Sequence, residues 1–329
     1  MMVNAFLKTI AAGAAFALTL CTAAPALADP FPERPIKLVV PYSPGGIADS
    51  LARRLAESLR QDLQQPVIVE NKPGANTAIG AIAVAGAPAD GYTLLMATAA
   101  TVVLNPMLIA KLRYQPEKDF AGVANVALTP LVLSVSPAGP IHSVADLVRV
   151  AKAEPSKLAF ASTGTGSSTH LAVEMLQSEA GISMNHVPYN GSAPALNAVM
   201  AGDVQLSVDA VASAMALIKG DKLRPIAVTT RERIGVLAQV PTVAESGLPN
   251  YNVSAWYGIV APAATPPAVV QRLNQAIVKA TADKAFRNQF EALGLVMAPP
   301  LKAAEFDAFI GRERALWGPL IKNKNIRIE

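Results

Sequence analysis

Cysteine and histidine are scarce in this sequence. Its 329 residues include one cysteine, Cys21, and three histidines, His142, His170 and His186. A lone cysteine excludes an intramolecular disulfide. None of the histidines has a His-x-x-x-His partner. We therefore expect no metal and no cofactor, three histidines at the surface or at helix caps, and a fold stabilised by its core alone.

Runs of one charge sign are also missing. The chain has 28 Lys and Arg against 24 Asp and Glu, a formal net charge of +4. Its basic residues are scattered singly, and only Lys322–Asn323–Lys324 near the C-terminus is locally basic. Because nucleic-acid sites need a concentrated basic patch, usually interleaved with aromatics, we expect no nucleic-acid partner.

The common enzyme motifs are absent as well. There is no G-x-S-x-G elbow and no P-loop, and Gly164-x-Gly166-x-x-Thr169 lacks the third glycine of a dinucleotide fingerprint. Ser167 and His170 do stand three residues apart, which leaves a secreted hydrolase as an alternative. The carboxylate nearest to that pair in sequence, Glu174, lies one helical turn beyond His170, whereas a catalytic base needs an orienting third group.

The first 28 residues differ from the rest. Lys8 is their only charge, Ile10–Leu20 is apolar, and Ala26–Leu27–Ala28 precedes Asp29. This pattern predicts a secretory signal peptide, residues 1–28, and hence a periplasmic protein with cleavage near Ala28. A lipoprotein signal ending at Cys21 stays open as an alternative, although a bulky Leu20 precedes that cysteine.

Two stretches of the mature chain repeat one pattern. Ile36–Val40 is an apolar strand followed by a small-residue loop, 41–50, and by leucines at helical spacing. Leu158–Ala161 is followed in the same way by the loop Ser162–Thr169 and another helical run. A glycine-rich loop that opens a helix offers unpaired N–H groups at the positive end of the helix dipole, which predicts two anion-binding loops.

Strands alternate with helices along the chain, which favours a largely parallel α/β sheet with ligands beyond the carboxyl ends of the strands. Two longer strand-like runs, Val123–Val135 and Asn252–Val260, interrupt this alternation. We interpret them as two crossovers between two α/β lobes, residues 29–128 with 253–329 and residues 129–252. Such a protein closes by a hinge motion around a ligand in the cleft between the lobes.

The expected cleft loops carry uncharged hydrogen-bond donors and few cations. These donors are Ser43, Gly46, Thr77, Thr98, Ser162, Thr163, Gly164, Ser167, Thr169 and the backbone around Gly191. Hydroxyls and backbone amides suit a carboxylate that is held reversibly. The residues therefore favour capture of a small organic acid over catalysis.

Five ordered motifs resemble the Bug (TctC-type) solute-binding proteins of tripartite tricarboxylate transporters, over essentially the whole mature chain. They are Pro41–Tyr42–Ser43–Pro44–Gly45–Gly46-x-x-Asp49, Val69–Glu70–Asn71–Lys72–Pro73–Gly74–Ala75, Ser162–Thr163–Gly164-x-Gly166–Ser167–Ser168–Thr169–His170–Leu171, Val187–Pro188–Tyr189-x-Gly191–Ser192–Ala193–Pro194 and Val240–Pro241–Thr242–Val243–Ala244–Glu245–Ser246–Gly247.

The resemblance implies a type II periplasmic-binding-protein fold, a small organic-acid ligand and permease subunits in the inner membrane as partners. We expect the binding protein itself to be a monomer, and a sensor accessory protein would have the same sequence features. Together with the donors above, the resemblance implies these ligand-binding residues: Tyr42, Ser43, Gly46, Ala48, Asp49, Ala75, Asn76, Thr77, Thr98, Ser162, Thr163, Gly164, Ser167, His170, Tyr189, Gly191 and Asp209.

The chain departs from the family pattern at three places. Ile47 stands where members often have Ser or Thr, Ala75–Asn76–Thr77 replaces glycine-rich sequence, and Ala99–Ala100 replaces more polar sequence. These changes make the expected cleft floor more apolar. We therefore expect a mono- or dicarboxylate or an aromatic acid rather than a citrate-like tricarboxylate.

Overall fold

The computed structural model describes residues 31–328, so the expected signal peptide, its cleavage site and Cys21 lie outside the described residues. Residues from Arg34 onward belong to one compact unit. Its strands are β1 Ile36–Val40, β2 Val67–Asn71, β3 Thr93–Thr98, β4 Phe120–Val135, β5 Ala159–Ser162, β6 Asn185–Pro188, β7 Leu206–Ala210, β8 Arg224–Val228, β9 Ser254–Pro262 and β10 Val296–Met297.

The α-helices are α1 Ile47–Leu63, α2 Ala78–Ala85, α3 Asn105–Leu108, α4 Pro116–Asp119, α5 Val144–Ala153, α6 Ser168–Ala180, α7 Ser192–Ala201, α8 Val211–Lys219, α9 Pro267–Ala282, α10 Lys284–Glu291 and α11 Ala303–Asn323. A π-helical turn, Ala100–Leu104, leads into α3, and a 3₁₀ turn covers Gly235–Leu237. No helix among residues 31–328 has both the length and the apolar composition for a membrane crossing.

The strands form one mixed sheet in the order β2-β1-β3-β9-β4-β7-β5-β6, with β8 and β10 also paired to β4. β1 is parallel to β2 and β3, and β5 is parallel to β6 and β7. β9 is antiparallel to both β3 and β4, and β7 is antiparallel to β4. The expected α/β class is confirmed, with antiparallel pairing confined to the middle of the sheet.

β4 is a single strand that serves both halves of the sheet. Phe120–Pro130 pairs with β9, and Leu131–Val135 pairs with β7 and β8. Pro130 lies where the partners change, a position that tolerates a residue without an N–H donor. The expected apolar crossover is therefore observed, and it is three residues longer at its start than the run Val123–Val135.

The second crossover lies just before β9. Val253 N donates to Thr229 O in the half of the sheet that contains β8, and β9 then pairs with β3 and β4. Thr229 also ties β4 there, since its N–H donates to Leu131 O and its hydroxyl accepts from Leu131 N. The lobe boundaries 29–128, 129–252 and 253–329 stay a prediction.

Helix α1 shows why the first repeated unit folds as predicted. Its leucines at positions 51, 55, 59 and 63 are all buried, at a spacing of four residues that places them on one face. Burial of each contributes about 1.5–3 kcal/mol. Asp62, near its end, accepts from Arg272 and Lys279 of α9, at 2.7 and 2.6 Å. These contacts fix the direction of α1 and thereby the loop that precedes it.

Close packing of α11 against the crossover strands explains why residue 258 is a glycine. A Cβ at Gly258 in β9 would lie 2.3 Å from Phe306 of α11 and 3.0 Å from Ala124 O. Trp256 lies edge-on to Phe306, with ring centroids 5.7 Å apart. Helix α11 therefore packs directly on the two crossover strands.

The main differences from the sequence prediction are in the C-terminal part. The sequence after Thr265–Pro266–Pro267 predicts only helices, the last of them over Ala303–Leu316. The structure adds a short strand, Val296–Met297, antiparallel to Ala127–Leu128. A two-residue strand carries too little alternation to be visible in sequence. Helix α11 also continues past Leu316 to Asn323, through Pro319.

Candidate functional site

The carboxyl ends of two sets of parallel strands, β1–β3 and β5–β7, point to one place in the sheet. This place, the junction, is where β4 changes partners between Pro130 and Leu131. β1–β3 run in the direction of β4, and β5–β7 run against it. Because β4 leads from the first set into the second, both sets end towards the place where β4 changes partners. Thr98 is in register with Tyr257 and, through it, with Ala127, whereas Asp209 is in register with Val132. Five residues of β4 span roughly 17 Å, which is room for a small ligand.

The first loop, 41–50, is closed by a carboxylate. Asp49 Oδ2 accepts from Gly45 N at 3.0 Å and from Arg53 Nε at 2.9 Å, and its Oδ1 accepts from Asn71 Nδ2 at 3.0 Å. The Arg53 guanidinium is the main reason that the pKa of Asp49 is lowered to about 2. Asp49, predicted as a ligand-binding residue, thus uses both oxygens to shape the loop, which leaves Ser43 and Gly46 exposed at its tip.

A chain of hydroxyls runs beneath that loop. Tyr42 OH lies 3.0 Å from Thr98 Oγ1, which lies 3.2 Å from Thr101 Oγ1, which donates to Thr77 Oγ1 at 3.1 Å. Burial raises the pKa of Tyr42, so the phenol stays neutral. The structure thereby brings together three of the predicted residues, Tyr42, Thr77 and Thr98.

A buried amide and a phenol support this chain. Asn105 Nδ2 donates to Asn76 O at 2.7 Å, and Asn76 Nδ2 donates to Asn105 Oδ1 at 2.7 Å. Tyr114 OH donates to Thr101 O at 2.6 Å, and burial raises its pKa to about 12. These contacts hold the segment Ala75–Thr77, in which all three residues have positive φ.

The second loop, Ser162–Thr169, has its own network. Thr169 Oγ1 accepts from Thr163 N at 2.9 Å, and Ser167 Oγ donates to Gly164 O at 2.7 Å and accepts from His170 N at 3.2 Å. Ser167 is therefore the N-cap of α6. Its hydroxyl is used inside the loop, and the half-buried Thr163 and Gly164 stay at the surface of the loop.

The predicted His170 lies behind the loop. It is 5% exposed, its Nδ1 accepts from Gly166 N at 3.1 Å, and its Nε2 lies 3.6 Å from Glu174 Oε1. The expectation of a surface or capping histidine is wrong here, because the ring packs parallel to His186 with centroids 3.8 Å apart. Ser167 Oγ meets the backbone of His170 rather than its imidazole, so this geometry lacks the nucleophile–base contact that the hydrolase alternative needs.

Asp209 ends β7 on the opposite side of the junction. Its Oδ1 accepts from Ser192 Oγ and from Ala210 N, both at 2.7 Å. Its Oδ2 is buried without a hydrogen-bond partner, and burial raises the pKa of the carboxyl. Tyr189 and Gly191 follow β6, are half-buried and lead into α7, whose first residue is the Ser192 that donates to Asp209.

Two of the helices that start at the junction, α1 and α7, have a glycine as N-cap, whereas α6 is capped by Ser167. Gly46 and Gly191 are the N-caps of α1 and α7, and neither provides a side-chain hydrogen bond. Away from the junction, Ser143 and Asp283 cap α5 and α10 with such bonds. A glycine N-cap leaves the first-turn amides available, which is the arrangement that binds anions.

The sequence prediction missed several residues that support the site. They are Thr101, Asn105, Tyr114, His186 and Tyr257. The pKa of Tyr257 is raised by burial and by the nearby Tyr42. A polar residue inside an otherwise apolar run, as Thr101 and Asn105 are, was the signal available for two of them. Among residues 31–328 no group of acidic or histidine side chains could hold a metal ion.

This architecture, a mixed α/β sheet whose two halves are joined by crossover strands, is that of the two-lobe periplasmic binding proteins. The chain belongs to the Bug (TctC-type) family of solute-binding proteins, since residues 51–326 match the family model described as "Tripartite tricarboxylate transporter family receptor". Proteins of this family are periplasmic binding proteins, not enzymes.

Individual relatives agree with this membership. The chain is 35% identical to "Protein BugT" of Bordetella pertussis, over 95% of this chain and 96% of the relative. The structure titled "R. palustris Rpa4515 with adipate" is 32% identical with a TM-score of 0.78, covering 90% of this chain and 99% of that one. "MatC (Rpa3494) from Rhodopseudomonas palustris with bound malate" is 30% identical with a TM-score of 0.74, covering 88% and 100%.

Proposed function

We propose that this protein captures a small mono- or dicarboxylate by hinge closure in the periplasm and delivers it to permease subunits of a tripartite tricarboxylate-type transporter. The observation that carries the proposal is that two helices, α1 and α7, start beside the junction with glycine N-caps, which make no side-chain hydrogen bond to the first-turn amides. Similar proteins have been solved with adipate and with malate, both small dicarboxylates.

The affinity expected of such a site follows from its donors. Each helix N-terminus contributes about 0.3–1 kcal/mol, and up to about 2 kcal/mol where it is partly buried. Each hydrogen bond to a charged carboxylate adds about 1.5–3 kcal/mol. A micromolar dissociation constant needs about 8 kcal/mol, which two carboxylates held by both sides of the junction can reach.

The cations next to the first loop are paired with carboxylates of the protein. Arg53 is paired with Asp49, and Lys72 is paired with Glu70. Capture therefore depends on amides and hydroxyls, and the bound acid is released chemically unchanged. The binding residues predicted from the sequence remain a proposal. In it, Ser43 and Gly46 donate to the ligand, and Thr163 and Gly164 form the surface of the second loop that the ligand contacts. Asp49, Ser162, Ser167 and His170 hold the loops.

Calorimetric titration of the secreted protein with adipate, malate, a monocarboxylate and citrate tests the proposal. We expect micromolar binding of at least one mono- or dicarboxylate, weaker binding of citrate, and recovery of the unchanged acid by mass spectrometry. Turnover that Ser167→Ala abolishes would instead establish the hydrolase. Binding of none of the acids would contradict the ligand class.

A pair of glycine variants tests whether the second loop is the site. Gly164 has φ +136° and Gly181, at the end of α6, has φ +63°; a Cβ would meet Tyr189 O at 3.9 Å at the first and nothing within 4 Å at the second. Alanine strains the backbone at both positions. We expect similar losses of thermal stability from Gly164→Ala and Gly181→Ala, but at least a tenfold loss of affinity only from Gly164→Ala. The exposed Lys111→Ala variant should bind like the wild type. Equal affinity losses in Gly164→Ala and Lys111→Ala would place the site elsewhere.

A further inference from the structure

His186 makes a short hydrogen bond to the base of the second loop. Its Nε2 lies 2.6 Å from the hydroxyl of Ser162, a residue that is fully buried. β5 and β6 are in parallel register there, with Phe160 opposite His186 and Ser162 opposite Pro188. The His186 imidazole on β6 thus contacts Ser162, which is the last residue of β5 and the first residue of the second loop.

Ser162 passes this contact on to Gly164. Gly164 N donates to Ser162 Oγ at 3.2 Å, and Ser162 Oγ donates to Gly164 O at the same distance. If His186 carries its proton on Nε2, the hydroxyl accepts from the imidazole and from Gly164 N and donates to Gly164 O. In that tautomer, the Ser162 hydroxyl bonds to both the N–H and the C=O of Gly164.

The ring of His186 is itself held in place. It packs parallel to His170 at a centroid distance of 3.8 Å and an interplanar angle of 10°, and against Phe160 at 5.0 Å. His170 holds the same loop directly, because its Nδ1 accepts from Gly166 N. The two stacked imidazoles therefore restrain the two glycines of the loop that have positive φ, Gly164 at +136° and Gly166 at +74°.

We propose that His186 is a positioning residue for ligand binding, which holds Gly164 in its ligand-binding conformation through the hydroxyl of Ser162. This inference rests on the proposed function, in which the second loop meets the carboxylate. A glycine at φ +136° has many alternative conformations. Fixing it before the ligand arrives removes an ordering cost from binding.

The surroundings keep the imidazole neutral, as this role requires. Burial, and then the neighbouring His170, lower the pKa of His186 to about 4. Near neutral pH the ring therefore carries a single N–H, which suits the donor role inferred from the hydrogen-bond network.

Three variants separate the hydrogen bond from the packing. His186→Phe keeps an aromatic ring in the stack and removes the nitrogen, whereas His186→Gln keeps an amide donor at the position of Nε2. His142→Phe changes an exposed histidine far along the chain and is the matched control. In ligand-free protein, we expect amide hydrogen exchange of the peptide that contains residues 162–166 to accelerate about tenfold in His186→Phe. His186→Gln should stay within threefold of the wild type, and His142→Phe should be unchanged.

Titration with adipate and with malate gives the second readout. For the acid that binds, the affinity should fall about tenfold in His186→Phe and recover to within threefold of the wild type in His186→Gln. The double variant Ser162→Ala/His186→Phe should bind no worse than Ser162→Ala alone, because both changes remove the same contact. A purely structural role would lower thermal stability in both His186 variants without this recovery.

The two readouts also separate this inference from the proposed function. Unchanged exchange in His186→Phe, or additive losses in the double variant, would overturn the positioning role. If neither adipate nor malate binds the wild type, the proposed ligand class fails, and the exchange measurement on ligand-free protein still decides the role of His186. Should His186→Phe fail to fold, exchange in Ser162→Ala decides: faster exchange of residues 162–166 supports the role, and wild-type protection contradicts it.

Discussion

Three consecutive residues without a glycine have left-handed backbone beside the junction: Ala75, Asn76 and Thr77 have φ of 46°, 48° and 74°. Such a conformation costs about 1–2 kcal/mol for a residue with a Cβ. The hydrogen bonds between Asn76 and Asn105 hold the segment in place. At the residue scale, the site therefore stores strain that the surrounding amides support.

This strain predicts a stabilising substitution. Ala75→Gly should raise the free energy of unfolding by about 0.5–1 kcal/mol. Glycine adopts positive φ without the steric cost that alanine has, and this relief exceeds the larger entropy that glycine loses on folding. Urea unfolding measures the change. The matched control is Ala216→Gly at an exposed position within α8, which should lower stability by about 0.5–1 kcal/mol. A loss of stability in both variants would contradict the strain argument.

The lowered pKa of His186 predicts how stability depends on pH. The unfolded chain protonates His186 near its ordinary value of 6.5, whereas the folded chain does so only near 4. Between these pH values the unfolded state binds more protons, so the contribution of His186 lowers the free energy of unfolding as the pH falls from about 6.5 to about 4. Urea unfolding at pH 7, 6 and 5 should show a steeper decline in the wild type than in His186→Phe. Parallel declines would mean that this histidine protonates equally in both states.

At the scale of single elements, the N-terminus of α1 is built to stay open. Its N-cap, Gly46, has extended backbone, φ −81° and ψ 178°, which suits any residue, and a Cβ there would meet nothing within 4 Å. Sterics therefore do not require glycine at this position. A polar N-cap would occupy the amides to which we propose that the ligand binds.

Gly46→Asp should consequently separate stability from binding. The new carboxylate caps α1 and interacts with its dipole, which should raise the free energy of unfolding by about 0.5–1 kcal/mol. The same carboxylate competes with the ligand, so the affinity for the bound acid should fall at least tenfold. Calorimetry and urea unfolding measure the two effects. Gly46→Ala is the control, with affinity close to wild type; an equal loss of affinity in both variants would indicate crowding rather than competition for the amides.

At the scale of the whole molecule, two strands connect the halves of the sheet. β4 pairs with β9 up to Pro130 and with β7 and β8 beyond it, and the chain before β9 is bonded to Thr229. Few backbone groups therefore need to move when the halves rotate, and Pro130 interrupts the ladder between them. This arrangement favours a hinge at the crossovers.

Hinge closure predicts a shorter distance across the cleft in the presence of ligand. Pro44 and Thr165 lie at the exposed tips of the two loops, and a protein that starts at Asp29 has no native cysteine to interfere. Spin labels on Pro44→Cys and Thr165→Cys should move closer when the bound acid is added. Labels on Pro44→Cys and Gln61→Cys, at the loop and on α1, should keep their distance. An unchanged distance in the first pair would rule out closure as the capture step.

Much of the fold and part of the site followed from local patterns in the sequence. β1 has the predicted bounds, and the loops that open α1 and α6 stand where glycine and serine predicted them. These features were predictable because apolar periodicity, turn residues and helix caps act over a few residues. The two crossovers were also visible, because a strand that is buried along its whole length is longer and more apolar than its neighbours.

The roles of individual side chains were decided by tertiary structure. The sequence places Asp49, Ser167 and His170 in the two glycine-rich loops, but only the fold shows that they bond to Gly45, Gly164 and Gly166. His186 gained its position from the register of β5 with β6, which no local pattern encodes. Sequence determines which donors a loop carries, since that is set by residue type. Which donors stay free for a ligand depends on partners that are distant in sequence, such as Thr98 for Tyr42, and only the packing of the whole chain selects them.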